Sequence, residues 1–248
     1  ATTEIYTLSL HDALPILPAY ARALLFSRNT LSLLNKITTH DKIMLYSLDV
    51  RHNMIHKITV DAFFGLHNLI QLDLSFNFIC RLSQGMFRQL KLLRWVSLVY
   101  NSVTQISPGA FRSLHQLLNM MLTDLILPTL KEHVFYDLNH LTRLDLSRSN
   151  IKALHAKGFR GLASLTILNI TTVEVEKISG DLFHYLPNVR VIYSQDERVC
   201  CLISPHLECQ PKPTNKNICR HIVNNTHFVV SAIILLCISS LMIILALI

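Results

Sequence analysis

The stretch that decides the fold is LIQLDLSFNFICRLSQGMFRQLKL, residues 69–92. Leu72 and Leu74 alternate with polar residues, which is the pattern of a short strand with one buried face. The following stretch, LRWVSLVYNSVTQISPGAFRSLHQ, begins at Leu93 and repeats this pattern position by position. LTRLDLSRSNIKALHAKGFRGLAS does so again from Leu141. A fixed period of 24 residues indicates stacked repeats rather than one irregular core.

The period continues on both sides of these stretches. The start of the repeat recurs at Leu45, Leu117, Leu165 and Val189, and it extends back to Ala21. Two more series keep the same spacing: Phe63, Phe87, Phe111, Phe135, Phe159 and Phe183, and Leu66, Leu90, Leu114, Leu138, Leu162 and Leu186. The pattern resembles the leucine-rich repeat, L-x-x-L-x-L-x-x-N-x-I-x-x-L, at a length typical of extracellular examples. It predicts an α/β leucine-rich-repeat solenoid over residues 21–199, with a curved parallel sheet on the concave face, helices opposite and the phenylalanines buried.

One polar position of the repeat has a structural interpretation. Four consecutive repeats carry asparagine there: Asn29, Asn53, Asn77 and Asn101. An inward amide at this position can satisfy backbone groups at the turn after each strand, which burial would otherwise leave unpaired. The later repeats replace it with Leu125, Ser149 and Val173. We therefore expect looser or more irregular turns in the later repeats.

The outward positions of the strands form the candidate binding surface, because side chains alternate between the two faces of a sheet. Aspartates at equivalent positions, with apolar side chains between them, indicate an apolar anchor flanked by acidic groups. Such a surface suits a polypeptide that carries basic and aromatic residues. The candidate ligand-binding residues are Asp49, Asp73, Trp95, Val99, Met121 and Asp145. The alternative is that they are ordinary solvated strand residues, since leucine-rich repeats favour aspartate here whatever the ligand.

Two sequons predict N-glycosylation, at Asn169-Ile-Thr and Asn224-Asn-Thr. A glycan on Asn169 would project from the concave face and move binding toward the earlier repeats. Asn224 lies only a few residues before the apolar tail.

The two ends of the chain differ from the repeats. Residues 228–248 carry no charge, and as a helix of about 31 Å they would cross the hydrocarbon of a bilayer. We predict a transmembrane helix there, the alternative being a buried helix of a soluble protein. Residues 1–20 do not follow the repeat, and Glu4 and Asp12 do not fit a signal peptide. We interpret this non-repeat segment as an artefact rather than as part of the native protein. We expect the chain to be a fragment.

Four of the six cysteines lie within residues 200–227, which we call the hinge: Cys200, Cys201, Cys209 and Cys219. Adjacent cysteines do not readily pair with each other. Cys200 and Cys201 therefore have Cys209 and Cys219 as partners, with two possible connectivities. A zinc site at Cys201, His206 and Cys209 is an alternative, although an extracellular location favours disulfides. Cys80 is left over as a free thiol.

Short motifs in the hinge carry a finer resemblance: VCC at 199–201, SPHLECQP at 204–211 and NICRHI at 217–222. They resemble the hinge of leucine-rich-repeat G-protein-coupled receptors, on both the glycoprotein-hormone and the relaxin receptor side. The resemblance implies that the hinge cysteines tie the repeats to the membrane and that residues 228–248 are the first of seven helices. Ser239-Ser240 stands where that family has a Gly-Asn pair.

The resemblance also implies a function at the plasma membrane, with the repeats outside the cell. The partner would be a polypeptide or glycoprotein hormone, and a heterotrimeric G protein could couple only through helices that this chain lacks. The alternative is a single-pass leucine-rich-repeat adhesion protein or co-receptor. No catalytic motif is present, so we expect neither an enzyme nor a cofactor or metal. The charge of +7 is spread along the chain without a basic cluster, so we expect no nucleic-acid partner.

Overall fold

The structure is a computed structural model that describes residues 21–36, 44–173, 175–179, 181–201 and 208–210, and the backbone alone of 5–7. Within these residues, one parallel sheet of ten short strands runs through the molecule. Its strands are Ile5–Thr7, Ala23–Leu25, Ser47–Asp49, Gln71–Asp73, Trp95–Ser97, Asn119–Met121, Arg143–Asp145, Ile167–Asn169, Val191–Tyr193 and Glu208–Gln210. Neighbouring repeats pair with an offset of 24 residues, as in Gln71 with Trp95. The predicted parallel-sheet solenoid is confirmed.

The opposite wall differs from the prediction of helices. It contains two-residue parallel strands: Leu33–Leu34 with Lys57–Ile58, Arg81–Leu82 with Gln105–Ile106, and Ala153–Leu154 with Lys177–Ile178. Between them run turns with i→i−3 hydrogen bonds, such as Leu90 N–H to Phe87 O at 2.9 Å. Two of these turns lengthen into 3₁₀ helices, Ala156–Phe159 and Leu182–Tyr185. The one α-helix of the described part is Glu197–Cys201, because a 24-residue coil has little chain left for a helix after two strands and their turns.

The phenylalanine series forms the centre of the core, as predicted. Five of its six members are no more than 1% exposed: Phe63, Phe87, Phe111, Phe135 and Phe159. Successive rings stack along the solenoid with centroids 5.8 Å apart between Phe63 and Phe87 and 5.9 Å apart between Phe87 and Phe111. Phe183 differs, since it is only partly buried against the core in the last repeat. A repeat therefore gains its full burial from a neighbour on each side.

The asparagines join successive coils by hydrogen bonds. Asn77 Nδ2 donates to Val50 O at 3.1 Å and to Leu74 O at 3.0 Å, and its Oδ1 accepts from Ile55 N–H at 3.0 Å. Asn53 and Asn101 make the same set of contacts. The inward-amide interpretation is thus confirmed at these three positions.

The later repeats lose these amide contacts but keep the turn. Ser149 Oγ accepts from Leu125 N–H at 3.1 Å in place of the amide. Leu125 has no side-chain acceptor for Val103 N–H, which bonds to Asn101 O at 2.7 Å instead. The residue directly before the asparagine position has a positive φ, the left-handed conformation, in all seven repeats: Arg28, His52, Phe76, Tyr100, Asp124, Arg148 and Thr172. Hydrogen bonds between neighbouring turns persist in part, as from Arg148 N–H to Thr171 O, while Tyr100 N–H bonds to Asp124 Oδ2 instead of a backbone oxygen. Looser or more irregular turns in the later repeats therefore stay a prediction.

Both ends of the sheet receive an additional strand. Ile5–Thr7, in the segment that the repeat does not reach, pairs with Ala23–Leu25. Glu208–Gln210 pairs with Val191–Tyr193 and covers the other edge. Edge strands otherwise expose unpaired backbone groups.

A disulfide holds the C-terminal strand in place. Cys200 is bonded to Cys209, with Cα atoms 5.6 Å apart, and this decides the connectivity that the sequence left open. Cys201 is also disulfide-bonded. The zinc alternative is wrong, since Cys209 is committed to this bond. Cys80 is an exposed free thiol, as predicted.

No helix within the described residues is long and apolar enough to cross a membrane. The predicted transmembrane helix at 228–248, the hinge residue Cys219 and the sequon at Asn224 all lie outside those residues.

Candidate ligand-binding site

The register of the sheet brings residues from five repeats together on the concave face. Trp95, Asn119, Arg143 and Ile167 stand side by side on neighbouring strands. They line a shallow depression of about 240 Å³. Its principal side chains are Trp95, Met121, Arg143, Asp145, Asn169 and Tyr193. A volume below that of ordinary small-molecule pockets suits one or two side chains of a larger ligand.

Hydrogen bonds position the polar side chains of the depression. Asp145 Oδ1 accepts from Ser147 N–H at 2.9 Å, and its Oδ2 accepts from Asn169 Nδ2 at 3.1 Å. Thr171 donates to Asn169 Oδ1 from both its backbone N–H and its hydroxyl. Arg143 is exposed, and no described residue forms an ion pair with it. The depression therefore combines an apolar wall with a guanidinium free to donate to a ligand.

The six predicted residues fall into two groups. Trp95, Met121 and Asp145 line the depression. Asp49, Asp73 and Val99 do not.

The aspartates outside the depression have structural contacts. Asp49 is 7% exposed and pairs with Arg51 Nε at 2.9 Å. Asp73 Oδ1 accepts from Ser75 N–H at 3.0 Å, in the same way that Asp145 accepts from Ser147. Asp49 therefore offers little carboxylate to a partner, and the acidic flank expected from the sequence is reduced to Asp145 and Asp73.

Sequence reasoning did not select six residues of the depression as ligand-binding: Asn119, Met120, Arg143, Ile167, Asn169 and Tyr193. The 24-residue register was the available signal, since it places Arg143 two strands from Trp95 and Tyr193 two strands from Asp145. In the described part of the chain, no group of three or more His, Cys, Asp or Glu side chains could hold a metal ion.

Comparison with known proteins agrees with this architecture. The leucine-rich-repeat model matches the chain in overlapping segments, 43–103, 72–125, 93–151, 119–172 and 139–193, which together span more than half of the 248 residues. The chain belongs to the leucine-rich repeat family. Members of this fold class are typically binding scaffolds rather than enzymes, and the leucine-rich-repeat region of this chain is a candidate for binding a ligand or a protein.

Among solved structures, TLR13 in complex with ssRNA13 is 27% identical over 71% of this chain, with a TM-score of 0.64. A leucine-rich-repeat protein of Leptospira interrogans is 20% identical over 77% of this chain, with a TM-score of 0.62, and shows the fold alone. The leucine-rich-repeat chain spans 25% of the first protein and 49% of the second. No curated protein matches it in sequence.

Proposed function

We propose that the chain is the extracellular ligand-binding region of a membrane receptor and that it holds a polypeptide on its concave face. The observation that carries this proposal is the depression in which Trp95, Arg143 and Tyr193 meet on an otherwise open sheet. Tryptophan, tyrosine and arginine are the residues most enriched at the energetic centres of protein interfaces. The small volume suits an anchoring side chain of a polypeptide.

The finer form of the proposal is a peptide- or glycoprotein-hormone receptor that couples to a heterotrimeric G protein through helices beyond this chain. Its support is the resemblance of the hinge motifs, together with the uncharged stretch at 228–248 that would lie in membrane lipid. The likeness to TLR13 supports a receptor role in general. Transcript sequence beyond Ile248 tests this form. Six further apolar spans would support it. A cluster of basic residues directly after Ile248, followed by a polar tail, would favour the single-pass adhesion protein or co-receptor.

The proposed site and the predicted glycan at Asn169 exclude each other. Asn169 lines the depression, and its Nδ2, which a glycan would modify, donates to Asp145. A sugar chain at this atom would fill the space beside Met121 and Tyr193. The proposal therefore expects Asn169 to be unmodified in the secreted or membrane-bound protein, which mass spectrometry of the glycopeptide would establish.

Binding of a panel of secreted peptide and glycoprotein hormones tests the site directly. For any hormone that binds, we expect Trp95→Ala and Arg143→Ala each to weaken binding at least about tenfold. Leu92→Ser is the matched control, because Leu92 is 48% exposed and does not line the depression. Equal affinity of all three variants and the parent chain would show that the concave depression is not the binding site.

A further inference from the structure

An exposed row of stacked side chains lies along the turns that follow the main strands. We call it the aromatic ridge and define it by His52, Phe76, Tyr100 and Arg148. The ring centroids of His52 and Phe76 are 4.2 Å apart, and those of Phe76 and Tyr100 are 4.6 Å apart. Arg148 Cζ lies 4.6 Å from the centroid of the Tyr100 ring. The stack therefore joins the second, third and fourth repeats of the described chain, and Arg148 of the sixth repeat reaches past Asp124 to its end.

The ridge occupies positions where bulky side chains are unfavourable. Phe76 and Tyr100 have φ angles of 55° and 54°, a left-handed conformation that costs most residues about 1–2 kcal/mol relative to glycine. Glycine or asparagine would relieve this strain. The left-handed turn itself belongs to the solenoid, since all seven repeats share it. The exposed aromatic side chains that two of these turns carry are the feature that indicates an interaction.

Exposed apolar side chains surround the ridge. Phe76 is 40% exposed, Tyr100 50% and Phe78, two residues beyond Phe76, 65%. Met54 and Ile126 occupy the position equivalent to Phe78 in other repeats and are also exposed. Exposed apolar side chains at neighbouring positions of successive repeats mark a candidate interaction site.

The stacking restricts what the ridge can bind. Both faces of Phe76 are covered, by His52 and Tyr100, and both faces of Tyr100 are covered, by Phe76 and Arg148. Base stacking, as in single-stranded nucleic-acid binding, needs an open ring face. At Phe76 and Tyr100 only the ring edges remain, and these carry the positive part of the aromatic quadrupole. Edges attract carboxylates and the faces of a partner's aromatic rings.

Positive charge exceeds negative charge in the repeats that carry the ridge. Residues 44–148 contain ten Lys or Arg and seven Asp or Glu. Of the acidic groups near the ridge, Asp49 is paired with Arg51 and Asp124 with Arg148. Lys57 and Arg81 are exposed, and neither forms an ion pair with a described residue. The excess of positive charge disfavours a second copy of this chain and favours an acidic partner.

We propose that the aromatic ridge is a docking surface for a polypeptide that presents apolar or aromatic side chains flanked by Asp and Glu. The surface is separate from the concave depression, since the two have no residue in common. A receptor region with both surfaces could hold a ligand on the concave face and a second protein at its edge. The inference goes beyond the proposed function and does not depend on it.

A displayed library of random linear peptides, selected on the full chain, tests this assignment. We expect the selected peptides to be rich in Asp and Glu next to Trp, Phe or Leu, and their affinity to fall as salt is raised. Phe76→Asn combined with Phe78→Ser should weaken binding at least about tenfold, since asparagine tolerates the left-handed turn. Leu92→Ser serves as the control and should bind within about twofold of the parent, because Leu92 belongs to neither surface.

Three outcomes would overturn the proposal, provided that circular dichroism shows the variants to be folded. The first is selection of peptides that bind the ridge variant as well as the parent. The second is tight binding to phosphatidylcholine–phosphatidylserine vesicles that the ridge variant loses, which would identify a lipid surface instead. The third is concentration-dependent self-association in sedimentation velocity that the ridge variant abolishes, which would identify a second copy of the chain.

Discussion

At the scale of single residues, the asparagine amides connect each coil to the coil before it. Asn77 contacts four backbone groups within 3.1 Å, two of which, Val50 O and Ile55 N–H, belong to the preceding repeat. Its side chain is 5% exposed, so water cannot replace these contacts if the amide is removed. Ser149, at the equivalent position, is also buried but reaches fewer groups. Because Asn77 makes more hydrogen bonds than Ser149, its removal should lower the free energy of unfolding more.

We expect Asn77→Ala to lower the free energy of unfolding by about 3 kcal/mol, because it leaves buried donors and acceptors unpaired. Ser149→Ala should cost only about 1 kcal/mol, since it removes one good hydrogen bond, the one from Leu125 N–H. Urea unfolding followed by circular dichroism measures both. Equal losses in the two variants would contradict the interpretation that the amide joins coils.

The second prediction at this scale concerns the pH dependence of stability. Burial alone would raise the pKa of Asp124, but hydrogen bonds from Arg148, Thr123 and the Tyr100 N–H outweigh it and lower the pKa below its ordinary value. A carboxyl group with a lowered folded-state pKa stabilises the protein above its unfolded-state pKa. This stabilisation is lost as the pH falls through the folded-state pKa.

Asp124→Asn should therefore destabilise the protein at neutral pH and have progressively less effect as the pH falls below about 4. Asparagine tolerates the left-handed φ of 60° at this position, so the backbone is not disturbed. Denaturant unfolding of the parent and the variant across this range measures the difference. A difference that stays constant with pH would show that the carboxylate charge does not contribute.

At the scale of elements, turns rather than helices set how closely neighbouring coils of the solenoid pack. The turn at Gly161 packs closely on the preceding repeat, where a Cβ would overlap Phe135 O. Gly85 is also left-handed, with φ of 72°, but a Cβ there would meet nothing within 4 Å. The two glycines therefore separate the cost of the backbone conformation from the cost of a steric overlap.

We expect Gly85→Ala to cost about 1 kcal/mol, from the left-handed conformation alone. Gly161→Ala should cost about 3 kcal/mol or more, because the overlap with a backbone oxygen adds to the same strain. Thermal or urea unfolding distinguishes these values. A similar small loss at both positions would mean that the coils can move apart at this turn.

At the scale of the whole molecule, stability passes from one repeat to the next. Each three-residue strand is too short to persist alone and depends on the strands beside it. Within the described residues, the strand Val191–Tyr193 has a partner on its C-terminal side only in Glu208–Gln210, which the Cys200–Cys209 disulfide holds in place. The cap should therefore stabilise the end of the solenoid more than its centre.

Replacing Cys200 and Cys209 with serine should remove about 2 kcal/mol from the C-terminal repeat. Amide hydrogen exchange in Val191–Tyr193 should then become about thirtyfold faster. Exchange in Gln71–Asp73 should not change, because nearest-neighbour coupling weakens over several repeats. Uniform acceleration along the chain would show that the solenoid unfolds as one unit.

The sequence by itself determined the repeat, its register, the buried phenylalanine series and the role of the asparagines. A constant spacing of 24 residues fixes which residues become neighbours, because each coil pairs with the next in the same phase. It also placed Trp95, Met121 and Asp145 on one face.

Only the tertiary structure decided the short turns of the outer wall, the pairing of Cys200 with Cys209, the inclusion of Arg143 and Tyr193 in the depression, and the aromatic ridge. These features depend on backbone dihedral angles and on the curvature that accumulates from coil to coil. A periodic pattern states which residues are equivalent, but it does not contain the angles at which equivalent residues meet.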